Sequence, residues 1–433
     1  FLFFFNFRGG DRLDIKLGDA ITVFMEVFGM DAMLEMSESD YNKNIINTWK
    51  ECAAEGEKHK INLVLDPTKV QTKKSLLNYL IPQTPKKLKV VFLYPREPKT
   101  SAWLYSHELG RNYLDDTFSD RLETEFVSGV DESNVEQVLE DIIKAGANIV
   151  FCVGPQMMPN SLKVAVAHPE VYILNCSLNA PHPYIRTYYG RMYEAKFLAG
   201  MIAGAVTDNE RVAYIADYPI YGMIANINAF ALGVASVNPR AKVYLAWSKT
   251  KDYDRDKFLT ENDLHYVSDQ DIITPNDASR YFGLYKLQDG QALNLAMPIW
   301  NWGVFYEKLL QSVLAGSYKT EGQEQARALN YWWGMSAGVI DLICSKHVPY
   351  GVKRLADHLK SDITKGEVVP FFGQIYNQKG ELKNKGEHEM KPSDIMKMDW
   401  LVDNVVGNIP PMSEFVDNAK MVVELKGVEE NKL

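Results

Sequence analysis

The sequence predicts an α/β fold of two doubly wound lobes, preceded by a helical N-terminal extension. Three observations carry the prediction. From residue 88 onward, short apolar runs rich in Val, Ile and aromatic residues alternate with amphipathic stretches. The alternation ends after residue 206 and starts afresh at residue 211, which makes two series. Residues 1–85 lack this beat and read as mostly helical, closed by "IPQTPKK". Strands alternating with helices specify parallel sheets covered on both faces, because each crossover lays a helix on the sheet.

Each element has its own reason. "LKVVFLY" (88–94) is short, apolar and β-branched, as a strand buried on both faces should be. "WLYSHELGRNYLDDTF" (103–118) has helical periodicity, "LETEFV" is strand-like, and "NVEQVLEDIIKAGA" (134–147) is again helical. The strand "NIVFCVG" (148–154), the helix "SLKVAVAHP" and the strand "VYILNC" (171–176) follow, then a helix over "YYGRMYEAKFLAGMIAG" (188–204). The second series runs from the strand "RVAYIAD" (211–217) through the helix "GMIANINAFALGVASV", ended by "NP", to the strand "KVYLAW" (242–247). "FGLYKL" (282–287), "ALNLAMPIW" (292–300), a helix over 303–315 and a late hairpin "FFGQIYNQKGEL" complete the body. The expected domains are an extension over 1–85, a first lobe over 86–206 with return segments from about 282–380, a second lobe over 207–281 with later returns, and a wrapping tail over 381–433.

In "YYGRMYEAKFLAGMIAG", Ala195, Ala199 and Ala203 recur every four residues and Gly200 and Gly204 repeat that spacing. Small residues so spaced let two backbones approach closely, as in membrane helix pairs. The membrane reading fails on length and charge: Arg191, Glu194 and Lys196 interrupt the segment, and no run reaches the roughly 18 apolar residues a span needs. What remains is a helix lying tightly against a sheet, with Ala and Gly on its contact side.

Composition narrows the function. A net charge of −9 excludes the cationic groove that nucleic acid requires. "FLFFFNFRGG" lacks the basic flank and cleavage site of a signal peptide. Residue 1 is Phe rather than Met, so further sequence is expected to have preceded it. Cys52, Cys152, Cys176 and Cys344 are widely spaced, form no CxxC pair, and read as free thiols, which leans towards a reducing compartment. No GxSxG, P-loop, HExxH or GxGxxG follows a strand, so neither catalytic residues, metal nor cofactor are expected. Asp269 and Asp271 could act as acid and base or hold a metal, but Asp at a strand end is commonly a turn former. His182 and His388 read as surface residues.

Aromatic and amide side chains gather instead at strand ends. Trp103 follows the first strand's loop, and Gln156 and Asn160 follow the third strand. Tyr218 and Tyr221 follow the first strand of the second series, with Asn226 and Asn228 beyond, and Trp300 and Asn301 end a later strand. Trp302, Trp332 and Trp333 read more readily as core. Aromatic faces stack on planar rings, and amides both donate and accept. The combination suits reversible binding of a flat polar molecule in a cleft between lobes.

At "RTYYGRMYEAKFLAGMIAG", "RVAYIADYPI" and "NAFALGVASVNPRAKVYLAW" the chain resembles the basic membrane protein family, substrate-binding proteins of ABC transporters that include bacterial purine nucleoside receptors. The resemblance implies two Rossmann-like lobes of the type I periplasmic binding kind. It also implies a helix 188–204 packed on the first lobe's sheet. Carried over by position, Trp103 matches a base-stacking Phe and Asn160 an Asp that reads the base edge. Asn226 stands where a second stacking Phe is usual, and Tyr285 where an Asp grips the ribose hydroxyls; the family's ribose-side Lys has no counterpart near Trp300. The expected ligand site is therefore Trp103, Gln156, Asn160, Tyr218, Tyr221, Asn226, Asp269, Tyr285, Trp300 and Asn301.

Three classes follow in order. The first is the nucleoside-binding component of an ABC importer, with a small-molecule ligand and an ABC permease as partners and no nucleic acid. The second is a cytosolic ligand sensor on the same fold, which the extension and the reduced-looking cysteines favour. An enzyme is third. A lipid-anchored extracytoplasmic location goes with the first and a cytoplasmic one with the second.

Overall fold

The computed structural model describes residues 62–67, 87–178, 184–220, 222–271, 280–316, 318, 329–417 and 419–420. The chain divides into two units. The first holds the described residues up to Thr100, His107–Tyr189 and Tyr306–Tyr331; the second holds Ser101–Ser106, Gly190–Phe305 and the described part of Trp332–Leu433. Lobe bounds read from the sequence placed the segment 188–204 and the returns after 282 mainly with the first lobe. Gly190–Phe305 instead falls wholly in the second unit.

The first sheet has seven strands in the order β1-β12-β6-β5-β4-β2-β3. They are β1 (Asn62–Val64), β2 (Leu88–Leu93), β3 (Leu122–Val127), β4 (Ile149–Cys152), β5 (Tyr172–Cys176), β6 (Arg186–Gly190) and β12 (Leu329–Trp333). Between them run α1 (Ala102–Phe118), α2 (Val135–Lys144) and α3 (Met158–Ala167). α2 forms where predicted: Val135, Leu139 and Ile142 make its buried stripe, Glu136 and Lys144 suit the helix dipole, and Gly146 at φ 91° ends it. On this face Val91, Leu93, Val150, Cys152 and Ile173 of the sheet pack with Val135, Leu139 and Leu162. The opposite face is aromatic: Phe92 stacks on Phe151 with centroids 4.9 Å apart, and Tyr306 meets both.

Two expectations change here. The predicted helix 188–204 begins later, because "RTYYG" (Arg186–Gly190) is the strand β6, paired in parallel with β5. Asn62–Val64 lies inside the extension expected to be helical, yet it is a strand parallel to β12. Leu63 and Val64 are apolar and branched and extend that sheet by one strand. The rest of the extension, apart from a few residues flanking β1, lies outside the described residues.

The second sheet has the order β13-β11-β10-β9-β7-β8-β16. It contains β7 (Arg211–Ala216), β8 (Lys242–Trp247), β9 (Tyr266–Ser268), β10 (Leu284–Gln288), β11 (Gln291–Trp300), β13 (Ile340–Cys344) and β16 (Val405–Val406). β8, β7 and β9 pair in parallel, as the alternation predicts, and β16, in the tail expected to be irregular, adds a further parallel strand on β8. β10, β11 and β13 run antiparallel to their neighbours, which the alternation rule did not anticipate. For β10 and β11 the cause is local: Asp289 (φ 52°) and Gly290 (φ 74°) form a two-residue hairpin loop between Gln288 and Gln291. Asp-Gly is the preferred pair for a turn needing positive φ twice. The late hairpin is present as β14 (Gln374–Tyr376) and β15 (Leu382–Lys385).

The small-residue helix is α4 (Tyr193–Val206), and its partner is another helix, α5 (Met223–Val237). A Cβ on Gly200 would overlap the Phe230 carbonyl oxygen and lie 2.8 Å from its carbon; one on Gly204 would lie 2.6 Å from the Val234 oxygen. Gly233 answers from α5, where a Cβ would overlap the Phe197 carbonyl. The spacing thus signalled close packing correctly, but its glycine edge meets a helix instead of a strand. Among the described residues, no helix is long and apolar enough to cross a membrane. Further along, α6 (Arg255–Glu261) is capped by Asp254, whose carboxylate accepts from the Lys257 amide at 3.0 Å. α7 (Trp302–Leu314), α8 (Tyr350–Lys365) and α9 (Pro392–Met396) complete the helices used below.

Candidate functional site

In the second unit, three tryptophans meet. Trp103 stands at the start of α1, Trp300 ends β11 and Trp302 begins α7. Trp300 and Trp302 are stacked (5.4 Å, 11°), and Trp103 meets both edge-on at 5.2 and 5.6 Å. Trp302 is buried, whereas Trp103 and Trp300 keep part of their surface exposed. Such a corner offers a rigid π surface at little entropic cost.

A charged group lies at the carboxyl ends of the same unit's parallel strands. β7 has β8 on one side and β9 on the other, so the direction of winding reverses between β7 and β9. Asp217 follows β7, and Asp269 and Asp271 follow β9. Ligands of doubly wound sheets bind at such a reversal. Asp269 accepts from the Tyr285 hydroxyl (3.1 Å) and the Gln270 amide (2.8 Å). Arg255 donates to the same hydroxyl at 2.7 Å and lies 4.0 Å over the Tyr281 ring. Lys196, almost wholly buried on α4, reaches the Asp271 carboxylate at 2.5 Å and the Ser268 hydroxyl at 3.3 Å. Burial raises the Asp269 carboxyl above its ordinary value, against hydrogen bonds from Gln270 and Tyr285 that lower it. Burial also raises Asp271, opposed by the Lys196 charge, and Asp217 adds repulsion to both. Burial drives the Tyr285 phenol far above its usual range, so it remains a neutral donor.

The predicted residues therefore have different fates. Trp103 and Trp300 come together, and Asp269 and Tyr285 form one hydrogen-bonded pair. Tyr285 is fully buried in the core, so it supports Asp269 instead of presenting a free hydroxyl. Asn301 donates to the Gly338 carbonyl at 3.1 Å and so ties down a loop. Asn226 is buried in the first turn of α5, and Tyr218 follows β7. Tyr221 lies outside the described residues, as does His182. In the first unit, Asn160 donates to the Glu132 carbonyl at 2.5 Å, and the Gln156 side chain lies over Gly154. His388 lines a shallow groove with Glu367, Phe372 and Glu389, and no predicted site residue is there.

Sequence reasoning missed Asp217, Lys196 and Arg255. Asp217 could have been found as the last residue of "RVAYIAD", one step beyond a strand at a reversal. Lys196 carried a signal too: a cation inside an otherwise apolar helix needs a carboxylate partner. Among the described residues, no group of three or more His, Cys, Asp or Glu side chains is placed to hold a metal.

The two doubly wound sheets are those of the type I periplasmic binding fold, and over part of its length the chain is similar to substrate-binding proteins of ABC transporters. Residues 87–279 match the Bmp family, described as ABC transporter substrate-binding protein PnrA-like, so the resemblance read from the sequence is borne out. A purine-binding protein of Brucella abortus (strain 2308) is 28% identical over 338 residues, which is 75% of this chain and 94% of that protein. A Haloferax volcanii protein whose assigned role is glucose binding for an ABC transporter is 28% identical over 261 residues, 57% of this chain and 64% of that protein. Among solved structures, an ABC transporter solute-binding protein from Conexibacter woesei DSM 14684 has a TM-score of 0.50 at 15% identity, covering 65% of this chain and 98% of its own. A transcriptional activator of the comK gene from Bacillus halodurans has a TM-score of 0.50 at 14% identity, covering 65% and 99%; both share the fold.

Proposed function

We propose that the chain binds a nucleoside or a close planar analogue without transforming it, as the binding component of an ABC importer working with a permease. One observation carries the reading: Trp103 and Trp300, each partly exposed, form a right-angled aromatic corner around the buried Trp302. A flat base stacks on such a surface, and Asp217 and Asp269 offer acceptors for ligand hydroxyls. The purine-binding relative from Brucella abortus supports the same ligand class. Carboxylates and tryptophans in combination also suit a hexose, so glucose belongs in the test.

Isothermal calorimetry with adenosine, guanosine, cytidine, uridine and glucose tests the proposal. Stacking with a few satisfied hydrogen bonds gives micromolar binding, about −8 kcal/mol. Trp103→Ala should weaken it by roughly tenfold to a thousandfold, since it removes both stacking and buried apolar area. Heat with glucose alone transfers the assignment to carbohydrate. Silence with all five ligands ends it.

A further inference from the structure

We propose that Gly190 is the positioning residue of the aromatic corner: its missing side chain lets the Trp300 indole lie against the end of β6, which orients that indole for ligand. The inference rests on the reading that Trp300 contacts ligand. A Cβ built on Gly190 would lie 2.6 and 3.0 Å from two carbons of the Trp300 six-membered ring and 2.8 Å from the Ile340 methyl. Real Cβ atoms essentially never come within 3.0 Å of a neighbour, so a neighbour must shift: the Ile340 methyl can turn aside, whereas the Trp300 ring can do so only by leaving its stack. Ile340 is the cross-strand partner of Trp300 in the β11–β13 pair, so both are fixed to one ladder. The indole is also stacked on Trp302, within 11° of parallel. A methyl group at 190 must therefore rotate Trp300, opening the stack on Trp302 and the edge contact with Trp103.

The role is separable from folding, because the Ile340 contact is common to every Trp300 background and only the indole differs between them. Adenosine and guanosine affinities are measured for Gly190→Ala, Trp300→Ala and the double variant, with near-ultraviolet circular dichroism of each free protein. Gly190→Ala should weaken binding by roughly tenfold and diminish the indole band that Trp300→Ala removes. On the Trp300→Ala background it should change affinity by less than about twofold, the non-additivity expected of residues in contact. Equal losses on both backgrounds, or an unchanged band and affinity, overturn the proposal. If Gly190→Ala does not fold, Gly190→Ala with Trp300→Phe is compared with Trp300→Phe alone. The smaller ring should restore folding, and failure to do so also counts against it. Absence of heat with the unaltered protein removes the ligand reading; the dichroism still decides whether Gly190 seats Trp300.

Discussion

The α4–α5 contact makes the sign of a glycine-to-alanine substitution depend on position. Alanine in a helix interior normally gains about 0.5–1 kcal/mol over glycine, because less backbone entropy is lost on folding. At Gly200 the added carbon would overlap the Phe230 carbonyl oxygen and stand 2.8 and 2.9 Å from its carbonyl carbon and Cα, where ordinary contact begins near 3.4 Å. These are backbone atoms and cannot rotate away, so the helices must part by roughly an ångström. Overpacking of this kind costs about 1–3 kcal/mol or more, and loosening continues along the glycine edge towards Gly204 and Gly233. The net expectation for Gly200→Ala is a loss of about 1–3 kcal/mol. Gly351 near the start of α8 is the control, since nothing lies within 4 Å of its added carbon. There the same substitution should be neutral or gain a few tenths of a kcal/mol. Urea midpoints followed by circular dichroism measure both. Movement of the two midpoints in the same direction, by similar amounts, would refute the close-packing argument.

Other expectations follow from buried polar groups. Thr187 and Asn330 share a hydrogen bond in the interior of the first unit. Thr187→Val alone should cost about 1–3 kcal/mol by orphaning the amide, while Thr187→Val with Asn330→Leu should cost less, as a double-mutant cycle would show. Asp269 and Asp271 are held above their ordinary values by burial, so the folded protein keeps protons that the unfolded chain has released. That pair should therefore lower stability as pH rises from the ordinary carboxylate range through their raised values, with the full cost present at neutrality. Urea midpoints of ligand-free protein from about pH 4 to about pH 7 should decline less in Asp269→Asn; parallel declines would contradict this. Burial pushes the Cys152 thiol up to about 12, so in folded protein it should resist a thiol reagent that modifies the partly exposed Cys344. Denatured, unreduced protein should release all four thiols.

Much of the fold was legible because it rests on local signals. The runs of β2, β4, β5, β7 and β8 are short, apolar and separated by helical stretches, and all fell where expected. The departures have non-local causes or signals that were passed over. "YYG" before α4 is as compatible with a helix start as with a strand end, and only pairing with β5 decides it. The antiparallel β10–β11 pair was written in "QDGQ", but a rule of alternation overrode the turn chemistry. The site was less legible. Trp103 and Trp300 are about 200 positions apart, and nothing in the chain shows that the two rings meet. Amides such as Asn160 and Asn301 look like ligand contacts in a sequence, yet the nearest backbone carbonyl claims them first. Lys196 was read only as an argument against a membrane span, and its need for a carboxylate partner was passed over.

Two short border strands come from opposite ends of the described chain and guard against the same hazard. β1 lies along β12 at one border of the first sheet, and β16 lies along β8 at one border of the second. Without β1, the border strand would be "LNYWW", five buried residues of high β propensity and no charge. An uncharged, aromatic strand with open amides and carbonyls is a template for another copy of itself. Three residues near the start of the chain therefore act as a stopper against self-association. Trimming the chain past Val64 should favour aggregates before it touches ligand binding.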